Sequence, residues 1–280
     1  MQSVEYYIAR AALPAEAGNA LIWANKSLPE HIRKIMTEGV NAYQKDQYFD
    51  YEGYRAQLAV QEKGELWQLL FCFWLAEHLH KLYLEQDRSE QMFDGVLKDF
   101  RAKTKECFNY TGQWGCHVAK WYNHWFDLER IALTRLQFEV RKFGSNYRHL
   151  TSEHLAINVH IPSIGPLDEQ QCLQDYQRAA EFFGKHFDKE IPFMCHSWLL
   201  NPDHPDFLPP TSRLLSFQKN YDIFEFSEST EFLWRLFGVA YNGDPHSLTE
   251  RNSLERAYKN RMISGGRVGE GKGVFFYRKK

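Results

Sequence analysis

The chain predicts an α/β (α+β) protein: a mixed sheet with flanking helices over residues 130–280, preceded by a mainly helical region over 1–129. Three observations carry that prediction. Apolar residues recur at helical spacing through the first part. Near residue 130 the apolar period changes from about 3.6 residues to about 2. From there strand-like and helix-like stretches take turns, the pattern of an α/β half.

In the first part, Ser27-Leu-Pro-Glu30 resembles a capping box with a proline near the first turn, and predicts a helix to about Lys45. A long helix is expected from about Tyr54 to Leu84, with Leu58, Leu66, Leu69, Leu70, Phe73, Leu79 and Leu82 as core candidates and Gly64 able to break or bend it. Its run Leu66–Ala76 (LWQLLFCFWLA) is too short to span a bilayer and contains Gln68, so it reads as a helix buried on most sides. Ser89 can cap a third helix with Met92, Phe93, Val96, Leu97 and Phe100 along one side. These 129 residues are expected to add no strand to the central sheet.

The second part opens with TRLQFEVRKF, where Leu136, Phe138 and Val140 alternate with Gln137, Glu139 and Arg141. YRHLTSEH joins this strand to a second, Leu155–Ile161, and the two should pair antiparallel. A helix is expected over 168–187, with Cys172, Tyr176, Ala179, Ala180, Phe183 and Phe187 on one stripe. IPFMCHSWLL follows as a strand, lying parallel to 155–161 because a crossover helix joins parallel neighbours; the two should separate toward their C-terminal ends. Then come a short helix in PPTSRLLSFQKN, a strand in YDIFEFSE, a helix over SLTERNSLERAYKNRMISGG and a strand in GVFFYRKK. The last helix has a Ser247/Glu250 capping box at its start and Gly265-Gly266 at its end. The glycine-rich stretch Gly265–Gly273 reads as a flexible loop into the last strand.

Composition narrows the function. A formal charge of −2 gives no support for nucleic-acid or anionic-membrane binding. The 21 Phe, 15 Tyr and 8 Trp read first as core filler. Five cysteines (Cys72, Cys107, Cys116, Cys172, Cys195) share no short metal-type spacing and read as reduced thiols in a cytoplasmic protein. MQSVEYYIAR lacks the apolar core of a signal peptide. No metal site is expected, since His117, His149, His154, His160 and His196 make no ligand spacing. Gly265–Gly273 lacks the GKS/T ending of a P-loop and precedes a strand instead of opening a helix. TGQWGCHVAKWYNHW can line a substrate pocket or pack two halves together.

The turn from Ser163 to Asp168 runs from a strand into a helix. Helix N-termini present unpaired N–H groups and the positive end of the dipole, a place for phosphate or pyrophosphate, and Gly165 allows close approach. Asp168 is placed as the N-cap, and Pro162 and Pro166 remove two donors, so an ordinary strand-to-helix connection stands beside the phosphate reading.

Six segments in order carry a resemblance: Gly112-Gln-Trp-Gly115, Arg135-Leu-Gln-Phe-Glu139, Val159-His-Ile-Pro162, Ser197-Trp-Leu-Leu200, Ser253-Leu-Glu-Arg-Ala257 and the glycines of 265–273. They resemble a bacterial acyltransferase-domain family that has a helical N-acyltransferase N-terminal part and a GNAT-like C-terminal domain. The resemblance implies a GNAT-like mixed sheet over 130–280. It also implies acetyl-CoA or a longer acyl-CoA as co-substrate, and the amine of a small molecule or peptide as acceptor.

The pyrophosphate would lie at Ser163, Ile164, Gly165, Leu167 and Asp168. For the proton on the attacking amine, His160 is the first choice of base and Glu139 the second. Ser197 can orient a carbonyl or accept a backbone hydrogen bond. Many GNAT enzymes donate a proton to the leaving thiolate from a tyrosine. Here that position falls near Phe217, and Tyr221 is the nearest substitute. The turn also lacks the usual Arg or Gln and paired glycines of GNAT enzymes. A ligand-binding or interaction protein on a degenerate GNAT scaffold is therefore the rival reading.

Overall fold

The computed structural model describes residues 3–45 and 49–279. They form two compact units, one of the described residues up to 133 with 162–164, the other of 134–161 with the described residues from 165 on.

The first unit is built from α1 (Val4–Arg10), α2 (Ala15–Lys26), α3 (Glu30–Lys45), α4 (Tyr51–Ala59), α5 (Gly64–Glu85), α6 (Glu90–Thr111), a short α7 (Asn123–Phe126) and one strand, β1 (Arg130–Ala132). Among the described residues up to 129 there is no strand. Along α5, Trp67, Leu69, Leu70, Phe71, Cys72, Phe73, Leu75 and Ala76 are all buried, as a run with so little polar surface requires. No helix among the described residues is long and apolar enough to cross a membrane. All five cysteines are free and buried.

Two local readings are corrected here. Ser27 closes α2 instead of opening α3: its N–H and its hydroxyl both donate to the Trp23 carbonyl, at 3.0 and 2.8 Å. The Leu28-Pro29 pair explains this, because a residue before proline is pushed out of the helical region. The stretch 54–84 is two helices, with a break over 60–63 where Lys63 turns left-handed at φ +61°. Ser89 does cap α6, its hydroxyl accepting from the Met92 N–H.

The second unit contains β2 (Gln137–Lys142), β3 (Leu155–His160), α8 (Glu169–Phe183), β4 (Glu190–Ser197), α9 (His204–Phe207), α10 (Arg213–Gln218), β5 (Asp222–Glu228), α11 (Leu233–Phe237), α12 (Ser253–Ile263) and β6 (Gly269–Arg278). Its strands lie in the order β2-β3-β4-β6-β5. β2 and β3 pair antiparallel, β3 and β4 parallel, as expected. The parallel register runs through Ile157–Phe193 and Asn158–Met194. Both strands continue past it, to His160 and Ser197, with no further paired residues between them.

Register sorts the side chains of this sheet into two faces. One carries Phe138, Phe193 and Phe275, which pack around Tyr176 of α8 with ring centroids 4.8 to 6.0 Å away. On the other, Phe143, Leu150, Ala156 and Val274 pack with Tyr147, Met194, Phe224 and Phe276.

Two further readings change. The cap of α12 is Asn252, whose side-chain oxygen accepts from the Leu254 and Glu255 N–H groups at 3.0 Å each. Ser247 lies in a separate 3₁₀ turn, its hydroxyl donating to the Asp244 carbonyl. Asn252 wins because it directly precedes the first helical residue, and it donates to Glu255 in turn. The glycine-rich stretch is largely strand: β6 already begins at Gly269. Gly269, Gly271 and Gly273 fall on one face of it, where a Cβ on Gly271 would stand 2.0 Å from the Leu200 carbonyl oxygen. The glycines record close backbone packing.

Candidate functional site

Glu139 on β2 stands directly opposite Asn158 on β3, and Gln137 opposite His160. These four side chains therefore share a face near the point where β3 leaves β4. Glu139 is 4% exposed at its side chain and His160 17%. The Nε2 of His160 is 3.0 Å from Glu139 Oε1. Arg141 Nε, one step along β2, lies 3.2 Å from the same oxygen, and Asn158 Nδ2 donates to it at 3.4 Å.

The same Nε2 lies 3.1 Å from Asn158 Nδ2, so this ring nitrogen faces a carboxylate oxygen, which accepts, and an amide nitrogen, which donates. Arg141 and Asn158 hold the carboxylate in place by charge and by hydrogen bonding. Of the residues singled out from sequence, Glu139 and His160 are brought together here, with Asn158 and Arg141 beside them. An Asn in the middle of a strand is a poor β-former and so is itself a signal.

Ser197 and Tyr221 are placed elsewhere. Ser197 shares the parity of Phe193 and Cys195, so it faces away from His160. Its hydroxyl caps the 3₁₀ turn Trp198–Leu200 by accepting from Leu199 N–H at 3.2 Å. Tyr221 follows α10, with its ring centroid 5.2 Å from Phe275 and its hydroxyl 2.9 Å from that of Tyr176. Burial, with Tyr176 beside it, pushes the Tyr221 hydroxyl well above its ordinary value. Phe217 is buried next to Tyr221, at 5.2 Å between rings.

The five residues of the turn have separate duties. The Ser163 hydroxyl donates to the Glu106 carboxylate, which also takes Lys103 Nζ at 2.9 Å. Ile164 is half-buried. Gly165 has φ +151°, a conformation that glycine alone adopts readily, and a Cβ there would meet nothing within 4 Å. Leu167 packs against Leu199, Leu208 and Leu214. Asp168 caps α8, its carboxylate accepting from Gln171 N–H at 2.9 Å.

Arg135 lies behind the turn and donates to the Pro166 carbonyl at 2.8 Å and the Gly165 carbonyl at 3.0 Å. Burial pulls the Arg135 guanidinium below its ordinary range. Its backbone is fixed in turn by buried Asp175, whose carboxylate accepts from the N–H groups of Thr134, Arg135 and Leu136 at 2.6 to 3.1 Å. The turn is thus held from one side by its own carbonyls while Gly165 stays open on the other.

Of the histidines weighed as metal ligands, His154 accepts from the Thr151 N–H and His149 lies by Glu190. Among the described residues the one convergent ligand set is His124, Asp127 and Glu129 in the first unit, half-exposed to exposed.

This sheet, with a strand pair that separates and a helix that starts at the separation, is the architecture of a GNAT-type acyltransferase domain. The family model for the GNAT-like C-terminal domain matches residues 131–275, more than half of the chain, and the protein belongs to that family. Among solved structures, an acyltransferase in complex with decanoyl-CoA is similar at 18% identity and a TM-score of 0.75, covering 95% of this chain and 85% of that one. A complex with decanoyl-CoA and teicoplanin is similar at 16% identity and 0.74, over 96% and 86%. An acyltransferase variant with octanoyl-CoA is similar at 16% and 0.74, over 98% and 86%. At such identities the likeness is one of fold. No curated protein sequence matches the chain.

Proposed function

We propose that the protein transfers an acyl group from an acyl-CoA to the amine of a small molecule or peptide. The observation that carries this reading is the Glu139–His160 pair, fixed by Asn158 and Arg141 beside the opening between β3 and β4. An opened parallel pair leaves strand amides and carbonyls to bond an extended, amide-bearing arm such as that of CoA. The first turn of α8 offers N–H groups and a positive dipole end to the phosphates, next to the open side of Gly165.

The His160 imidazole takes the proton from the amine as its nitrogen attacks the thioester carbonyl, and Glu139 balances the imidazolium that forms. The similar structures support a medium-length chain, since they hold decanoyl-CoA and octanoyl-CoA, and one of them also holds teicoplanin. Five free, buried cysteines support a cytoplasmic setting.

Calorimetry with CoA and with acyl-CoAs of two to ten carbons tests the reading, followed by acyl transfer to a panel of amines. His160→Ala should keep CoA affinity within about twofold and slow transfer by about 10²–10⁴. Gly165→Trp should weaken CoA binding, because the indole would fill the open side of the turn. If the native protein binds no CoA or acyl-CoA at millimolar ligand, acyl transfer is the wrong reading. The degenerate scaffold would then be the better account, as the proline-flanked turn and the locked Tyr221 already allow.

A further inference from the structure

Tyr221, the nearest substitute for the tyrosine that serves many GNAT enzymes as a proton donor, is buried on the far face with its hydroxyl on Tyr176. A second imidazole lies on β4. His196 on β4 has the parity of Met194, which pairs with Asn158 of β3. It therefore lies on the same face as Asn158 and His160, level with His160 and on the other strand of the separating pair. Its Nε2 is 3.7 Å from Glu270 on β6, and its imidazole is about half exposed.

On the β6 side its surroundings are charged. Lys272 of β6 is the direct cross-strand partner of His196, and Lys272 Nζ is itself held by Glu225 of β5 at 2.7 Å. The opening is thus flanked by two imidazole–carboxylate pairs, His160 with Glu139 and His196 with Glu270, one on each strand that bounds it.

We infer that His196, backed by Glu270, is the acid that protonates the departing CoA sulfur, a role resting on the acyl-CoA reading above. In the step, the amine nitrogen forms a bond to the carbonyl carbon and gives its proton to His160. The carbon–sulfur bond breaks, its electron pair goes to sulfur, and the sulfur takes the proton of the His196 imidazolium. One proton leaves the amine and one arrives at the thiol, so the two imidazoles exchange protonation states and water resets them.

An acid placed to protonate the thiolate must also stabilise that thiolate when CoA binds as product, so the test needs no acceptor. CoA is bound to the intact protein, and the ionisation of its thiol is followed by ultraviolet difference absorbance, with desulfo-CoA as the blank. The protein's own thiols stay silent near neutrality, because burial pushes Cys116 up to about 12 and Cys172 to about 11. Wild type should lower the pKa of the bound thiol by about one unit or more relative to free CoA. His196→Gln should abolish that lowering while keeping desulfo-CoA affinity, Glu270→Gln should reduce it, and His160→Gln should leave it in place. Equal thiol pKa values in wild type and His196→Gln, both proteins binding CoA, would overturn the assignment and spare the acyl-CoA reading. No binding of CoA at all would remove that reading itself.

Discussion

His204 shows how far a single side chain can govern behaviour that has nothing to do with catalysis. It is fully buried, with Nε2 2.5 Å from the Tyr258 hydroxyl, and burial pulls its pKa from 6.5 down to about 4. The folded protein therefore keeps this imidazole neutral, while the unfolded chain binds a proton below about 6.5. Stability from this group is fully present above that value and is lost as pH falls toward 4, by about 3 kcal/mol in all. Urea titrations between pH 7 and 4 should show that loss in wild type, and His204→Gln should flatten the profile over the same interval. An unchanged slope in the variant would place the acid sensitivity elsewhere. At this scale the sequence is least explicit. Glu139 and His160 could be chosen as a pair because both lie on strands whose alternation is plain, but nothing local to His196 says that Glu270, 74 residues on, will stand beside it.

Helices and strands were far more legible, and the misreadings share a cause. Ser27 and Ser247 both have the spacing of a capping box, yet each competes with a neighbour that decides the matter, Pro29 in one case and Asn252 in the other. The stretch from 269 reads as a loop because glycine is a poor strand former, but here the strand requires glycine. A Cβ at 271 would press on backbone, which cannot swing aside as a side chain can. Gly271→Val should therefore destabilise the protein strongly despite the higher β-propensity of valine, by more than about 3 kcal/mol or to the point of insolubility. Thermal denaturation checks it, and a variant as stable as wild type would show that Leu200 can retreat. The same substitution at exposed Gly165 tests the opposite case, where space is ample and only φ resists.

Whole-molecule behaviour follows from the sheet. The antiparallel and parallel pairs among β2, β3 and β4 are readable from connection length alone, since a short link returns antiparallel and a helix crosses over. The placing of β6 between β4 and β5 is not, because no short-range pattern records which edge a late strand will join. If acyl-CoA binds in the opening, it holds β3 and β4 from both sides and should raise global stability by mass action, by about 2.7 kcal/mol at a hundred times its dissociation constant. Melting curves with acyl-CoAs of increasing length should rise with ligand concentration and peak at the preferred chain. A melting point independent of every acyl-CoA would argue against the site.

The central position of β6 also has a consequence for the newborn chain. β5 ends at Glu228 and, among the described residues, its one neighbour in the finished sheet starts at Gly269, about 40 residues further on. At about 5–20 residues per second, translation leaves β5 waiting roughly two to eight seconds with both edges bare. A bare edge is a template for aggregation, and charge along it is a standard deterrent. β5 carries Asp222, Glu225 and Glu228, and the later partner of Glu225, Lys272, has not yet been made. In the finished protein these acids look like ordinary surface charge; on the ribosome they keep a strand apart until its mate arrives.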